Sequence, residues 1–146
     1  MSDFQTKYGV IHDGGPCKDD YENINLYTYQ GKQDGVVKLQ GPALRSLKAA
    51  ELRITSRRQR DKDLVNHILI TGIGWRDCDL QRELWQSDPN RYANPDGSKH
   101  CRGLAIDVDQ NQGIIKRRKI HKALLAEDWH QSVPGEPWHY SYHVVG

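Results

Sequence analysis

The chain has 146 residues, of which 36% are hydrophobic, and 21 Lys and Arg residues face 19 Asp and Glu residues for a formal net charge of +2. This length predicts a single domain over residues 1–146, large enough to bury its own core. The balanced charge argues against a nucleic-acid-binding protein. No run approaches the roughly 18 apolar residues that would span a bilayer, so we expect no membrane insertion.

Two features bear on the cellular compartment. Residues 1–15 lack the apolar segment of a secretory signal, so we expect synthesis in the cytoplasm without a signal peptide. The three cysteines, Cys17, Cys78 and Cys101, have no paired spacing, and their odd count argues against a disulfide scaffold. A reducing compartment is therefore favoured, while a bridge between Cys78 and Cys101 stays open.

The first half of the chain predicts loops, short strands and one helix. Residues 1–40 are rich in Gly, Asp, Tyr and Asn, which favours loop and short strands, and their role stays unassigned. A helix is expected to begin at Gly41-Pro42, because proline is favoured in the first turn, and to end near Arg58 to Arg60. Three leucines predict its buried face: Leu44, Leu47 and Leu52.

The second half alternates predicted strands and helices. The β-branched run at 67–73 predicts a buried strand, and a helix follows from Asp77 or Cys78 to Gln86 with Leu80 and Leu84 facing inward. Residues 87–99 are rich in Pro, Asn, Asp and Gly and predict a loop. A strand at 103–108, a helix at 112–130 and a strand at 138–145 complete the pattern.

Three residues in two distant segments suggest a metal site. His100 precedes the predicted strand at 103–108, Asp107 lies on it beside the small Ala105, and His139 opens the last strand. Zinc accepts mixed nitrogen and oxygen ligands, and three protein ligands leave a position for water, whose pKa then falls to about 7. Glu136, three residues before His139 across a proline-constrained turn, suits a general base for that water.

These residues form a longer pattern that resembles a known family. Ser-x-His-x-x-Gly-x-Ala-x-Asp followed by Glu-x-Trp-His is similar to the motifs of the zinc D-alanyl-D-alanine carboxypeptidase family, which includes DD-carboxypeptidases, DD-dipeptidases and phage L-alanyl-D-glutamate endolysins. The matched positions are Ser98, His100, Gly103, Ala105, Asp107, Glu136, Trp138 and His139. The resemblance covers about 42–145 and implies an α+β fold of the Hedgehog and DD-peptidase type, with helices packed on a small, mainly antiparallel sheet.

The resemblance also implies a role for each site residue. His100, Asp107 and His139 would bind one zinc ion per chain, and Glu136 would serve as general base and acid. Arg76, which follows the predicted strand at 67–73, would stabilise the oxyanion of the tetrahedral intermediate. Two further residues are expected to bind substrate: Ser98 and Trp138.

Three functional hypotheses follow. The leading one is a monomeric, zinc-dependent peptidoglycan peptidase that cleaves an amide bond of the stem peptide, of the phage endolysin type and released to the bacterial cell wall by a holin. The second is a cytoplasmic D,D-dipeptidase or carboxypeptidase acting on free peptides. The third is a zinc-binding module without catalysis. The sequence leaves open which bond is cut, and whether the enzyme is a carboxypeptidase or an endopeptidase.

Several other residues are noted without an assigned role in the proposed site. The basic run at 116–119 predicts a solvated helix face, or alternatively a surface that attracts an anionic wall polymer. Cys101 adjoins His100 and is expected to be a buried thiol rather than a nucleophile. Asp109 and His143 share strand faces with Asp107 and His139, so each is a candidate neighbour of the site.

Overall fold

The computed structural model describes six segments of the chain: residues 2–13, 26–30, 36–54, 78–94, 98–110 and 113–142. Some sequence predictions lie outside these segments, namely the end of the first helix near 58–60, the strand at 67–73, Arg76, and His143 with the end of the last strand. No helix in the described segments is long and apolar enough to cross a membrane.

The described N-terminal residues form two antiparallel pairs of strands. Strand β1, Ser2–Thr6, pairs with β2, Gly9–Asp13, and β3, Leu26–Gln30, pairs with β4, Val36–Gln40. The short strands expected in residues 1–40 are therefore confirmed. Ile11 of β2 and Leu39 of β4 are buried and belong to the same hydrophobic core as the rest of the chain.

The described segments contain three α-helices, at Gly41–Ile54 (α1), Cys78–Ser87 (α2) and Ile114–Ala126 (α3). Helix α1 packs against α3. Leu44 and Leu47 are buried as predicted. The inward orientation predicted for Leu52 is wrong, because the buried face of α1 consists of positions 43, 44, 46, 47, 50 and 51 and leaves Leu52 39% exposed.

The inward orientation predicted for Leu80 of α2 is also wrong. Leu80 is 44% exposed, and the buried residues of this helix are Cys78 and Gln81. The Gln81 side chain donates a hydrogen bond from Nε2 to the carbonyl oxygen of Ala93, at 2.8 Å. This bond ties α2 to the loop at 88–94, so a polar residue occupies the place that hydrophobic periodicity alone assigns to a leucine.

Three of the described strands form an antiparallel sheet that carries the candidate site. Its strand order is β5-β7-β6, with β5 at Ala105–Asp107, β6 at Trp129–His130 and β7 at His139–Tyr142. The prediction that helix α3 continues to residue 130 is wrong. Asp128 has φ of 67°, a left-handed conformation that ends the helical turn, and the chain then enters β6.

The two faces of this sheet differ in composition. Because side chains alternate along a strand, Ile106 of β5 and its register partner Tyr140 of β7 point to the face opposite Asp107 and His139. Ile106 and Tyr140 belong to the hydrophobic core, together with Ile120 and Leu124 of α3. The resulting α+β arrangement of helices and small antiparallel sheets confirms the predicted fold class and leaves one sheet face for polar residues.

Candidate metal centre

The three predicted ligands come from three neighbouring elements. His100 lies in a single 3-10 turn, His100–Arg102, directly before β5. Asp107 is the last residue of β5, and His139 is the first residue of β7 and the register partner of Asp107. Antiparallel pairing thus places Asp107 directly opposite His139, 32 positions away in the sequence, and the 3-10 turn before β5 contributes His100.

Gly103 and Gln40 hold this turn in place. Gly103 has φ of 67°, and a Cβ atom on it would lie 2.6 Å from Cδ2 of Leu26 and 3.2 Å from the backbone nitrogen of Gln40. Gly103 therefore permits a close backbone approach that a residue with a Cβ atom would block. Gln40 donates from its backbone nitrogen to the Gly103 carbonyl at 3.0 Å and from Nε2 to the Arg102 carbonyl at 2.7 Å.

Gln40 was not found by sequence reasoning, although it links the N-terminal strands to the site. Its side chain is 2% exposed and also bonds both backbone groups of His12, accepting from the nitrogen and donating to the carbonyl, each at 2.8 Å. A glutamine amide offers two donors and one acceptor oxygen, which is the set these contacts use. No local signal in the sequence distinguishes this buried glutamine from a surface one.

The three side chains form a nearly equilateral triangle of donor atoms. His100 Nε2 lies 3.2 Å from His139 Nδ1 and 3.4 Å from Asp107 Oδ1, and Asp107 Oδ1 lies 3.5 Å from His139 Nδ1. Two ligands of a tetrahedral zinc ion, each about 2.0–2.1 Å from the metal, are separated by about 3.3–3.4 Å. The triangle therefore has the size of one face of a zinc coordination tetrahedron.

Burial and charge suit this triangle to a cation. Each of the three residues is 6% exposed. Burial alone would raise the pKa of Asp107, but hydrogen bonds and charge interactions with His100 and His139 outweigh it and lower that pKa to about 2. Asp107 is thus ionised at neutral pH, the state that metal coordination requires. Within the described segments, no other group of three His, Cys, Asp or Glu residues could hold a metal ion.

The predicted general base is placed by a tight turn before β7. The backbone nitrogen of His139 donates to the Glu136 carbonyl at 3.1 Å, and the nitrogen of Glu136 donates to the Val133 carbonyl at 3.2 Å. Glu136 is partly exposed and does not belong to the three-ligand cluster. Its position one turn ahead of a ligand is compatible with the predicted role, which stays a prediction.

Two predicted substrate-binding residues lie at different depths. Trp138 is 37% exposed, and its carbonyl accepts a hydrogen bond from the Val108 nitrogen at 2.8 Å. Ser98 is buried, and its carbonyl accepts from Nη1 of Arg102 at 3.0 Å. The backbones of both residues are thus fixed next to β5, whereas the substrate contacts of their side chains stay predictions.

The pairing states of Cys78 and Cys101 agree only in part with the expectation from the sequence. Cys101 is a buried free thiol, which confirms the prediction made for it. Cys78 is disulfide-bonded, so it does not pair with Cys101, and the odd cysteine count did not exclude a disulfide.

Fold and site together define an α+β protein with a buried cluster of two imidazoles and one carboxylate that could hold a single metal ion. No family model matches the sequence, and no curated protein matches it. Several solved structures share the fold.

One is the vancomycin resistance D,D-pentapeptidase VanY of a VanB-type cassette, a variant solved in complex with Zn(II), with a TM-score of 0.55 and 16% identity over 90% of this chain and 85% of that one. Another is DacB from Streptococcus pneumoniae, with a TM-score of 0.52 and 22% identity over 97% of this chain and 80% of that one. A third is the LD-carboxypeptidase LdcB, whose structure revealed how that enzyme recognises peptidoglycan. Its TM-score is 0.52, with 20% identity over 97% of this chain and 78% of that one. At these identities the comparisons establish the shared fold.

Proposed function

We propose that this protein is a zinc-dependent peptidase that cleaves an amide bond in the stem peptide of peptidoglycan. The observation that carries the proposal is the buried triangle of His100, Asp107 and His139, whose edges of 3.2, 3.4 and 3.5 Å match those of a zinc site. The fold supports it, because the similar structures include peptidases, one of them solved with Zn(II).

The donor set favours zinc as the metal, with one ion per chain. Two imidazole nitrogens and one carboxylate oxygen suit a borderline cation better than magnesium or calcium, which prefer oxygen ligands alone. When bound, zinc polarises a carbonyl group and generates a nucleophile from water at neutral pH. Three protein ligands leave the fourth coordination position open for this chemistry.

Glu136 and Arg76 complete the proposed reaction. Glu136 accepts the proton of the attacking water and delivers it to the amine that leaves, which is the work of a general base and then a general acid. The Arg76 guanidinium stabilises the negative charge on the oxygen of the tetrahedral intermediate. Arg76 enters through the family resemblance and its place after the predicted strand at 67–73, and Glu136 enters through the backbone turn that sets it three residues before His139.

Substrate contacts are proposed at the two ends of the site. The indole of Trp138 is exposed at the start of β7 and offers an apolar surface to the peptide. Ser98 is buried and lies two residues before His100, within the motif that selects the proposed ligands. It is therefore proposed as a donor or acceptor for a backbone group of the substrate.

We further propose that the enzyme is a monomer of the phage endolysin type, made in the cytoplasm and delivered to the cell wall by holin-type release. The motif resemblance, which extends to phage endolysins, supports this assignment. The choice between an endolysin and a cytoplasmic dipeptidase or carboxypeptidase determines the substrate. An endolysin acts on intact wall, whereas the cytoplasmic enzyme acts on free peptides.

Helix α3 supplies a proposed contact surface for the wall. Its sequence contains five cations and no acidic residue, and none of the five forms an ion pair with a described residue: Lys116, Arg117, Arg118, Lys119 and Lys122. Ile114 and Ile115 are exposed at its first turn, by 55% and 71%. Because α3 packs with Ile120 against the core face of the sheet, a phosphate-rich wall polymer bound there would leave the metal face accessible.

Parallel digestion distinguishes the functional hypotheses. Purified cell wall, soluble muropeptides and D-Ala-D-Ala are incubated with the zinc-loaded protein, and mass spectrometry identifies the new termini. Cleavage of a stem-peptide bond in intact wall is the expected result, and the new termini name the bond. Release from the free dipeptide alone would favour the cytoplasmic dipeptidase instead, and no release from any substrate would favour a non-catalytic zinc-binding module.

A further inference from the structure

The two nitrogens of the His139 ring have different surroundings. Nδ1 faces the donor triangle, 3.2 Å from Nε2 of His100. Nε2 lies 3.0 Å from Oγ of Ser141, and that hydroxyl lies 2.7 Å from Oγ of Ser132. The ring is therefore held between the candidate metal site and a pair of serine hydroxyls, one of which, Ser141, is only 1% exposed.

Metal binding at Nδ1 fixes the direction of the hydrogen bond between His139 and Ser141. A nitrogen that binds a metal needs its lone pair, so the ring proton of neutral His139 must be on Nε2. Nε2–H then donates to the Ser141 oxygen, and the Ser141 hydroxyl is free to donate to Ser132. A hydroxyl accepts and donates at once, which is why serine suits the middle position.

The strand register explains why Ser141 reaches this position. Ser141 lies two residues after His139 on β7 and so points to the same face of the sheet. Its register partner on β5 is the small, fully buried Ala105, and its partner on β6 is His130, two residues before Ser132. Ser132 also begins the segment that leads to Glu136, so the serine pair connects the ligand-bearing strand to the loop of the proposed general base.

We propose that Ser141 is a positioning residue that fixes the tautomer and ring orientation of His139 for metal binding, with Ser132 holding the Ser141 hydroxyl. This inference rests on the proposed metal site. Hydrogen-bond partners of metal-bound histidines raise ligand basicity and restrict ring rotation, and their loss typically weakens metal affinity by about 10- to 100-fold. Neither serine belongs to the motif that identified the ligands.

The experiment measures zinc affinity by competition with a chromophoric chelator, and the His139 tautomer by nitrogen-15 NMR of the zinc-loaded protein. Ser141→Ala is expected to weaken zinc binding by about 10- to 100-fold, whereas Ser141→Thr, which keeps the hydroxyl, is expected to restore most of the affinity. Ser132→Ala is expected to weaken binding less, because water can replace a hydroxyl at this exposed position.

Ser46→Ala is the matched control. Ser46 is fully buried and donates to the Glu127 carbonyl on the other side of the core, so its loss should lower stability without changing zinc affinity. If Ser141→Ala does not fold, Ser132→Ala and Ser141→Thr carry the comparison. Wild-type protein that binds zinc, together with unchanged affinity and tautomer in Ser141→Ala and Ser132→Ala, would overturn the positioning role alone. Wild-type protein that binds no zinc would instead overturn the metal site, and the positioning role with it.

Discussion

Asp107 and His139 oppose each other directly across the β5–β7 pair, with Oδ1 of the carboxylate 3.5 Å from Nδ1 of the imidazole. A single antiparallel register thus fixes two of the three proposed ligands, and His100 needs only one turn of 3-10 helix to join them. Ligands on paired strands lose little further freedom when a metal binds, so the site is preorganised.

Replacement of the proposed general base should separate catalysis from metal binding. Glu136→Gln keeps the shape of the side chain but removes its ability to take up a proton, so peptidase activity on cell wall should fall by about 10²- to 10⁴-fold. Zinc content, measured by atomic absorption, should stay at the wild-type level because Glu136 is not in the ligand cluster. Glu83→Gln, at an exposed position of α2, is the control and should keep full activity. Wild-type turnover in Glu136→Gln would contradict the assigned role.

Gly103→Ala should destabilise the protein more than Gly113→Ala. Both glycines have positive φ, 67° and 79°, so an alanine is strained by about 1–3 kcal/mol at either position. Only at Gly103 would the new Cβ collide, at 2.6 Å from Leu26 and 3.2 Å from the Gln40 backbone, whereas nothing lies within 4 Å at Gly113. Urea unfolding measures the difference. Equal losses of unfolding free energy would show that the close packing around Gly103 is wrong.

Acid should weaken the metal-free protein through Asp107. Its pKa is about 2 in the folded state against an ordinary value of 3.8, because the two histidines outweigh the effect of burial. The ionised carboxylate therefore favours folding above pH 3.8, and this contribution, about 2 kcal/mol, is lost as the pH falls toward 2. The free energy of unfolding of metal-free Asp107→Asn should depend less on pH between 4 and 2 than that of the metal-free wild type. Asp79→Asn, on the exposed side of α2, should follow the wild type.

The cations of α3 should govern attachment to the wall. Replacing Arg118, Lys119 and Lys122 by glutamine should weaken binding to polyphosphate and to wall material, and flatten the dependence of binding on salt. The control variant replaces three exposed cations elsewhere by glutamine, so that it has the same net charge as the α3 variant: Lys48, Arg82 and Arg91.

Co-sedimentation with wall before and after removal of its phosphate polymers measures the effect. Equal binding by both triple variants, or binding that ignores the phosphate polymers, would contradict this surface.

The sequence predicted that the three proposed ligands lie together, but it predicted the packing around them less well. Strand alternation sufficed to place Ala105 and Asp107 on one face, and the spacing of the motif sufficed to select His100 and His139. Helix α3, by contrast, ends at Ala126 because Asp128 turns into the left-handed region and Trp129 buries its ring, a tertiary effect that local periodicity does not contain.

The residues that support the site were missed for a related reason. Gln40 acts through a contact 62 positions away in the chain, so no short pattern marks it, whereas Ser141 lies only two residues after His139 and its role depends on which ring nitrogen faces it. Buried polar side chains such as these are recognisable only once their hydrogen-bond partners are known. Leu52 and Leu80 show the opposite error, since both match a hydrophobic period yet remain exposed.

The central claim is that His100, Asp107 and His139 together hold one metal ion, and a zinc titration tests it most directly. Calorimetry on metal-free protein should show one zinc per chain for the wild type and for His12→Ala, a histidine outside the cluster. His100→Ala and His139→Ala should each lose high-affinity binding. Zinc binding of wild-type stoichiometry and affinity in both ligand variants would contradict the account.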